Sequence, residues 1–199
     1  MNTQALVRNN YNKIFKIYSE QRHKTKNDYY LNLFNKLLKR NSTILDLGCG
    51  CGKPVSEFFL KRKHKIVGLD ISIKQVELAK KNFPKESFFV RDIANLEYNE
   101  FSVDAIVSFY TIFHIARNTQ EELYRKINSF MYSGGKILLT LGSFEWEGIA
   151  NFHGGKMYWS QFGRKKNIKL LKNAGFNILL EEIDKNDEFK HQIVIGEKI

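Results

Sequence analysis

The hydrophobic pattern of the chain divides into a helical beginning and an alternating remainder. Over about residues 3–39 apolar side chains recur every three or four positions, as at Tyr11, Ile14 and Tyr18, which is the spacing of one face of a helix. Short apolar runs then alternate with helical patterns. The runs predict strands near 43–47, 65–70, 87–91, 103–109 and 135–141, and the patterns between them predict helices near 53–62, 73–82 and 118–130.

The last part of the chain breaks this alternation. Residues 164–174 carry a helical pattern that Gly175 ends. Two strands follow, near 176–183 and 189–195, joined by the polar turn 184–187. Strands that alternate with helices predict an α/β fold with a doubly wound parallel sheet and right-handed crossovers. Ligands of such sheets bind at the carboxyl ends of the strands.

A glycine-rich loop follows the first predicted strand. Asp46 ends the apolar run, and Gly48, Gly50 and Gly52 then occupy every second position. Glycine allows the positive φ angles and the close backbone approach that a ligand-binding turn needs. Asp70 ends the next apolar run, 24 residues after Asp46, and an acid at about this distance suits the two hydroxyls of a ribose. The pattern therefore predicts a nucleoside-containing cofactor.

The spacing of this loop excludes two common nucleotide motifs. The dinucleotide motif G-x-G-x-x-G would need a third glycine where Lys53 or Val55 stands. A phosphate-binding P-loop would need Ser or Thr after Gly52-Lys53, where Pro54 stands. A nicotinamide dehydrogenase is therefore a distant alternative.

The pattern that is present, D-x-G-x-G-x-G, resembles the first motif of class I S-adenosylmethionine (SAM)-dependent methyltransferases. The resemblance continues in order over about residues 40–199, with Ser133 at a position that is commonly proline in the family. Its further motifs are Asp70-Ile71, Phe88–Ile93 with Asp92, Val103–Phe109 and Met131–Leu139. The resemblance implies a single domain, residues 1–199, with a mostly parallel seven-stranded sheet, helices on both faces and an antiparallel C-terminal hairpin strand.

The resemblance also implies which residues bind SAM. Asp46 and the backbone of Gly48, Cys49, Gly50 and Gly52 would line its amino-acid tail. Asp70 would accept hydrogen bonds from the ribose and Asp92 from the adenine amine. The remaining cofactor residues would be Ile71 and Ile93 beside the adenine, Ser108 and Phe109 near the methyl group, and Tyr11, Tyr18 and Arg22 in an N-terminal helical lid, residues 1–40. Ordinary helix packing is an equal alternative for both tyrosines, and a solvated charge is the favoured alternative for Arg22. No metal is implied.

The acceptor side is less specific in sequence. His114 follows the fourth strand and is a candidate general base, because a free imidazole titrates near neutrality; a packing histidine that bonds the backbone is the alternative. Residues 142–162 contain both tryptophans and are predicted to form a substrate-lid insertion. Candidate acceptor-binding residues are Tyr110, Phe113, Glu145, Trp146, His153, Tyr158 and Trp159; the alternative for the aromatic ones is that they merely roof the cavity.

Composition narrows the function further. The net charge of +11 makes an RNA methyltransferase one alternative, although the lysines are spread along the chain. The chain has no long apolar run and no apolar leader, so the sequence favours neither a membrane span nor secretion. The two cysteines lie in one loop, which favours a reducing cytoplasm.

Two missing motifs narrow the class of acceptor. Where base-amine methyltransferases carry an Asn/Asp-Pro-Pro-Tyr/Phe segment, this chain has Ser108-Phe-Tyr-Thr. Cytosine-C5 methyltransferases would carry a nucleophilic cysteine in the same region, and no cysteine follows Cys51. We therefore expect a methyltransferase that acts on an oxygen or nitrogen of a small molecule; a non-catalytic SAM- or nucleoside-binding module is the second alternative.

Overall fold

The computed structural model describes residues 2–24, 28–184 and 189–199. The helices are α1 (Thr3–Lys24), α2 (Asp28–Asn35), α3 (Val55–Leu60), α4 (Ile73–Asn82), α5 (Arg117–Ser129) and α6 (Arg164–Asn173). The strands are β1 (Thr43–Leu47), β2 (Lys65–Asp70), β3 (Ser87–Val90), β4 (Val103–Ser108), β5 (Met131–Leu141), β6 (Trp146–Phe152), β7 (Gly155–Gln161), β8 (Phe176–Ile183) and β9 (Gln192–Lys198).

The main sheet has seven strands in the order β3-β2-β1-β4-β5-β9-β8. The first five strands of this order are parallel, and β9 runs antiparallel to both β5 and β8. The strand order reverses between β1 and β4, so the carboxyl ends of these two strands flank a crevice of the kind that binds ligands. The predicted α/β class and the antiparallel C-terminal hairpin are confirmed.

Apolar layers cover both faces of the sheet. Helices α5 and α6 pack Tyr124, Ile127 and Leu171 against one face. Helices α2, α3 and α4 pack on the other face, with Phe34 and Phe59 fully buried. The central strands consist almost wholly of buried apolar residues because both of their faces are covered. A rigid platform thus holds the loops at the strand ends.

Two strands differ in extent from the prediction. Strand β5 begins at Met131 rather than near 135, because Met131 already pairs with Val103 across an irregularity in the register. Strand β9 covers Gln192–Lys198 rather than 189–195, so it is displaced toward the C-terminus. The predicted turn 184–187 lies, apart from Asp184, outside the described residues.

Residues 142–162, for which no strands were predicted, contain a separate two-stranded sheet. Strands β6 and β7 pair antiparallel from Trp146↔Gln161 to Phe152↔Gly155. The two turn residues, His153 and Gly154, have φ angles of 49° and 76°, as the tight turns that suit hairpin twist require. The segment is therefore an ordered hairpin that stands beside the carboxyl ends of the main sheet.

Helix α1 packs across the same end of the molecule. Val7 of α1 is buried in a small cluster with Met157 and Tyr158 of the hairpin. The helix and the hairpin together form a second layer above the strand ends. Among the described helices, none combines the length and the hydropathy that a membrane span needs.

Candidate functional site

The glycine loop turns tightly between β1 and α3. The backbone N–H groups of Gly48 and Cys49 both donate to Leu69 O, at 2.8 and 2.9 Å, which fastens the loop to β2. Gly48 has a φ of 78°, and a Cβ at this position would lie 1.9 Å from Thr111 Oγ1. Glycine is thus needed here both for the backbone conformation and for the space that Thr111 takes.

Asp70 connects the glycine loop to the start of α4. Its Oδ2 accepts from Gly50 N at 2.9 Å and its Oδ1 accepts from Ser72 N at 2.8 Å. Burial raises the pKa of Asp70 to about 6, while the two backbone donors oppose that shift. The carboxyl faces the cleft that the loop encloses.

Asp46 lies deeper than Asp70. It is buried and accepts from Ser56 Oγ at 2.6 Å. Burial raises the pKa of Asp46 to about 7, and the nearby Asp70 adds to this while Ser56 opposes it. Two carboxyls with raised pKa values in one cleft are typical of a functional site.

The space at these strand ends, which we call the donor cleft, brings together most of the predicted cofactor residues. Helix α1 covers it so closely that its main compartment has a free volume of about 50 Å³. Its predicted members are Tyr11, Tyr18, Asp46, Gly48, Cys49, Gly50, Asp70, Ile71, Asp92, Ile93 and Phe109, and Arg22 reaches its inner compartment. Asp92 also accepts from Ala94 N at 3.0 Å, which caps a short 3-10 turn.

Two predicted cofactor residues lie outside the donor cleft. Ser108 is fully buried and its hydroxyl donates to Leu47 O at 3.0 Å, so it braces β1 against β4. Gly52 packs beneath the loop, where a Cβ would lie 2.7 Å from the ring of Phe83. Both residues thus support the loop from behind: Ser108 contacts the end of β1, and Gly52 leaves space for the ring of Phe83.

Gln75 belongs to the donor cleft, although the sequence analysis did not single it out. It is 1% exposed, its Oε1 accepts from Ser19 Oγ of α1 at 3.1 Å, and it lines both compartments. Its Nε2 has no hydrogen-bond partner among the described residues. A buried amide donor without a partner is costly unless a ligand accepts from it. The sequence did contain one signal for Gln75: it lies shortly after Asp70, in the first turn of the helix that follows that acid.

His114 lies at the border of the donor cleft, in a 3-10 turn after β4. Its Nδ1 donates to the backbone oxygen of Tyr158 at 2.8 Å, because a carbonyl only accepts. The other nitrogen, Nε2, therefore carries the lone pair and accepts from Tyr11 Oη at 3.0 Å. Burial lowers the pKa of His114 to about 4, so the imidazole is neutral at pH 7.

Tyr11 is the hydrogen-bond partner that α1 contributes to His114. Burial, together with the neighbouring Tyr18, raises the pKa of Tyr11 well above its usual value, so the phenol keeps its proton. Gln4 fixes the same part of α1 by donating to His114 O at 3.0 Å. Asn12 accepts from Ser72 Oγ at 2.7 Å and ties α1 to the start of α4. Helix α1 is thus attached over the cleft by polar contacts in addition to the apolar packing of Val7.

A second space, which we call the aromatic chamber, adjoins the donor cleft on the side of the hairpin. It has a volume of about 230 Å³ and shares Tyr11, Tyr18 and Tyr110 with the donor cleft. The Arg22 guanidinium lies 4.5 Å from the centre of the Tyr110 ring. Its other lining residues are Gln21, Phe113, Phe152, His153, Trp159, Phe189 and His191.

Three residues predicted to bind the acceptor lie outside the aromatic chamber. Glu145 pairs with Arg117 at the base of the hairpin. The Tyr158 hydroxyl donates to Glu147, which leaves its backbone oxygen as the part that contacts His114. Trp146 lines a neighbouring groove instead. Alternation along β7 places Tyr158 on the face opposite Trp159, whereas Trp146 shares the face of Trp159 but lies farther along the hairpin, and Glu145 precedes β6. The sequence analysis missed this because it predicted no strands there.

Comparisons with known proteins agree with this geometry. Residues 44–135 match the model of a methyltransferase domain. Phosphoethanolamine N-methyltransferase 1 of Triticum aestivum is 29% identical over 165 residues, which are 76% of this chain and 31% of that protein. A SAM-dependent methyltransferase of Methanosarcina mazei has a TM-score of 0.74 at 16% identity, with 84% of this chain and 97% of that chain covered.

A third match has a named acceptor. It is 1,6-didemethyltoxoflavin-N1-methyltransferase of Burkholderia thailandensis, solved with 1,6-didemethyltoxoflavin and S-adenosylhomocysteine. Its TM-score is 0.68 at 14% identity, and 96% of this chain and 90% of that chain are covered. The chain spans about a third of the length of the curated wheat relative. Residues 44–135 thus match a methyltransferase domain, and the fold around them is that of class I SAM-dependent methyltransferases.

Proposed function

We propose that this protein transfers a methyl group from SAM to an oxygen or nitrogen of a small-molecule acceptor. The observation that carries the proposal is the position of Tyr11. Its ring lines both the donor cleft and the aromatic chamber, and its hydroxyl is hydrogen-bonded to His114. A proton-accepting pair thus stands where a methyl donor and an acceptor would meet.

The residues of the donor cleft fit SAM chemically. SAM supplies a methyl group that its sulfonium has already activated. Asp70 would accept from the ribose hydroxyls and Asp92 from the adenine amine. The unpartnered Gln75 Nε2 offers a donor inside the cleft. Gly48 and Gly50, whose φ angles are positive, bring no Cβ atoms into it. Asp46 and the loop backbone would hold the amino-acid tail.

Proton removal follows from the arrangement of the pair. An acceptor that loses a proton as it is methylated can pass that proton to the Tyr11 oxygen while the Tyr11 proton moves to His114 Nε2. The Nδ1–H group keeps its proton and its hydrogen bond to the Tyr158 carbonyl oxygen, which holds the ring in place. Because burial lowers the pKa of His114, the imidazole gives the proton up again after the reaction. His114 thus acts through Tyr11.

The surroundings of the pair exclude water. Trp159 lies 4.5 Å from His114 and Phe113 lies 5.1 Å from it, measured between ring centres. Dry surroundings strengthen electrostatic contacts with the sulfonium and prevent loss of the methyl group to water. We propose that α1, in residues 1–40, acts as a lid on the cofactor, and that the hairpin in residues 142–162 acts as a lid on the acceptor.

The charge of the aromatic chamber supports a neutral or anionic small acceptor. Arg22 lines the chamber, and no Asp or Glu does so within the described part of the chain. The wheat relative is named for a phosphorylated amine, and the Burkholderia neighbour acts on a heterocycle. The free cysteines Cys49 and Cys51 support a cytoplasmic location as part of the proposal.

The test measures transfer from methyl-labelled SAM into a metabolite extract, into phosphoethanolamine and into total RNA. We expect label in the small-molecule fraction. Tyr11→Phe should lower that rate about 100-fold, while calorimetry shows S-adenosylhomocysteine binding within about threefold of wild type.

Tyr132→Phe is the matched control, since Tyr132 is exposed and is the second residue of β5, at the opposite end of the sheet. It should leave both measurements unchanged. Label in RNA alone would favour the RNA methyltransferase, and binding of S-adenosylhomocysteine without transfer to any fraction would favour the binding module. Full activity in Tyr11→Phe would remove the proton-transfer role.

A further inference from the structure

A third cavity opens beside the aromatic chamber, and nothing above assigns it a role. We call it the aromatic annex. It has a volume of about 370 Å³ and lies between the hairpin and the segment before β9. The annex shares Phe152, Trp159, Phe189 and His191 with the aromatic chamber, so the two spaces are neighbours with a common wall.

The lining of the annex is aromatic and carries no Asp, Glu, Lys or Arg among the described residues. Phe144, Trp146 and Phe189 line it while remaining 59%, 39% and 70% exposed. Gln161, one of its few polar members, already donates to Phe144 O at 3.0 Å. Large aromatic side chains grouped around one concavity are typical of a site that an apolar group covers.

Trp159 links the annex to the proposed proton-accepting pair. Its ring centre lies 4.5 Å from His114 and 5.4 Å from Phe152. The hairpin that carries Trp159 is held at its base by Arg117, whose Nη2 lies 2.9 Å from Glu147 Oε2. One wall of the annex is therefore fixed relative to His114.

We propose that the annex binds a flat or aliphatic apolar extension of the methyl acceptor, whose reactive oxygen or nitrogen lies in the aromatic chamber beside Tyr11. This inference rests on the proposed function and adds a substrate class to it. The acceptor has a compact polar end and an apolar end beyond it. A small, wholly polar molecule such as phosphoethanolamine would leave the annex empty and would bind more weakly than an extended acceptor.

Tryptophan fluorescence reports on this site directly, because the chain has two tryptophans and both Trp146 and Trp159 line the annex. The probes are the methyl, ethyl, propyl and butyl esters of 4-hydroxybenzoate, titrated with and without S-adenosylhomocysteine. We expect Kd to fall about threefold for each added methylene, as burial of that group from water predicts. Phosphoethanolamine should change the emission less than any of the esters, because it leaves Trp146 in the annex uncovered.

Two variants separate the annex from its surroundings. Ala150→Asp introduces a charge into the annex, and Ile149→Asp introduces the same charge at the neighbouring position, which is exposed and lies outside the lining. Ala150→Asp should weaken the butyl ester at least tenfold and the methyl ester less than threefold. Ile149→Asp should leave the whole series unchanged, and S-adenosylhomocysteine should bind both variants as it binds wild type, which also shows that they are folded.

The outcomes distinguish the two proposals. Equal affinity across the ester series, equal effects of the two variants, or unchanged fluorescence at every ester would overturn the annex proposal while leaving cofactor binding intact. Failure of wild type to bind S-adenosylhomocysteine would instead contradict the proposed function, and the length dependence measured without the cofactor product would still decide the annex.

Discussion

The donor cleft and the aromatic chamber lie side by side but are built in different ways. The donor cleft consists of loops that follow β1, β2 and β3, held by backbone groups such as Gly50 N on Asp70. The chamber depends on side chains from distant parts of the chain. Arg22 of α1 lies over the ring of Tyr110, which follows β4, and Asn10 donates to Phe152 O across 142 residues.

This difference explains how each region specifies its ligand. Backbone N–H groups and acids at strand ends depend on the fold, so they suit a cofactor that does not vary. Rings contributed by α1 and the hairpin depend on packing between elements, so they can be exchanged without disturbing the sheet. The comparison leads to three experiments, each of which alters one region and measures both stability and S-adenosylhomocysteine binding.

The largest effect should come from Gly48→Ala in the donor cleft. The new Cβ would lie 1.9 Å from Thr111 Oγ1 at a φ of 78°, so we expect a loss of about 3–5 kcal/mol in the free energy of unfolding. Gly154→Ala is the matched control, because Gly154 has a similar φ of 76° and nothing within 4 Å of the new atom.

Urea unfolding of these two glycine variants separates backbone strain from the clash. Gly154→Ala should cost about 1–2 kcal/mol and leave S-adenosylhomocysteine binding intact. Gly48→Ala should lose binding. Equal costs for the two variants would show that Thr111 moves aside and that strain alone accounts for the glycine at position 48.

A smaller effect, of opposite sign, should come from Asp46→Asn. Burial raises the folded-state pKa of Asp46 to about 7, whereas an unfolded aspartate titrates near pH 4. Between these values the folded state holds more protons than the unfolded state, so the stability of wild type falls as the pH rises. We expect Asp46→Asn to be about 3–4 kcal/mol more stable than wild type at pH 7, with the difference vanishing below about pH 3.

Unfolding curves at several pH values, with calorimetry at pH 7, test this trade-off between stability and function. Ser56 can still donate to the amide oxygen in Asp46→Asn, so the contact itself is kept. The variant should bind S-adenosylhomocysteine more weakly. A stability difference independent of pH would mean that the Asp46 carboxyl is not the group that titrates.

The smallest effect should come from Gln120→Ala on the side of the aromatic chamber. Gln120 Nε2 donates to Ile115 O and Ser160 O, both at 2.8 Å, and thus ties the hairpin to the 3-10 turn of His114. We expect a loss of about 1–2 kcal/mol in the free energy of unfolding and a several-fold slower methyl transfer. S-adenosylhomocysteine affinity should stay within about twofold of wild type.

Asn118→Ala controls for the change in helix propensity, because Asn118 is an exposed residue of the same helix, α5. It should change neither stability nor transfer. A strong loss of S-adenosylhomocysteine binding in Gln120→Ala would show that the two regions are coupled and would remove the distinction drawn between them.

Local sequence signals predicted the donor side because its parts follow the strands directly. Asp46, Asp70 and Asp92 stand at strand ends, and the strand order places them on one edge. The contacts of the side chains around these acids could not be predicted from the sequence. The turn of Ser108 toward Leu47 and the unpartnered amide of Gln75 depend on side-chain directions that apolar periodicity does not describe.

On the acceptor side, the sequence predicted a set of candidate residues but not which of them line the same cavity. Phe113, His153 and Trp159 line the aromatic chamber, whereas Glu145 and Tyr158 are paired elsewhere. The reason is the β6–β7 hairpin, whose alternation decides which rings face inward. Cross-strand pairing and the packing of α1 against β7 are long-range events that no short window of sequence contains.

The contact between His114 and the hairpin has a consequence for how this protein could diversify. The group that orients the imidazole is the backbone oxygen of residue 158, and every amino acid has that oxygen. Side chains along β6 and β7 can therefore be replaced to admit a different acceptor while the histidine keeps its tautomer. Selection on substrate choice and selection on proton chemistry would act on separate atoms of the same strand.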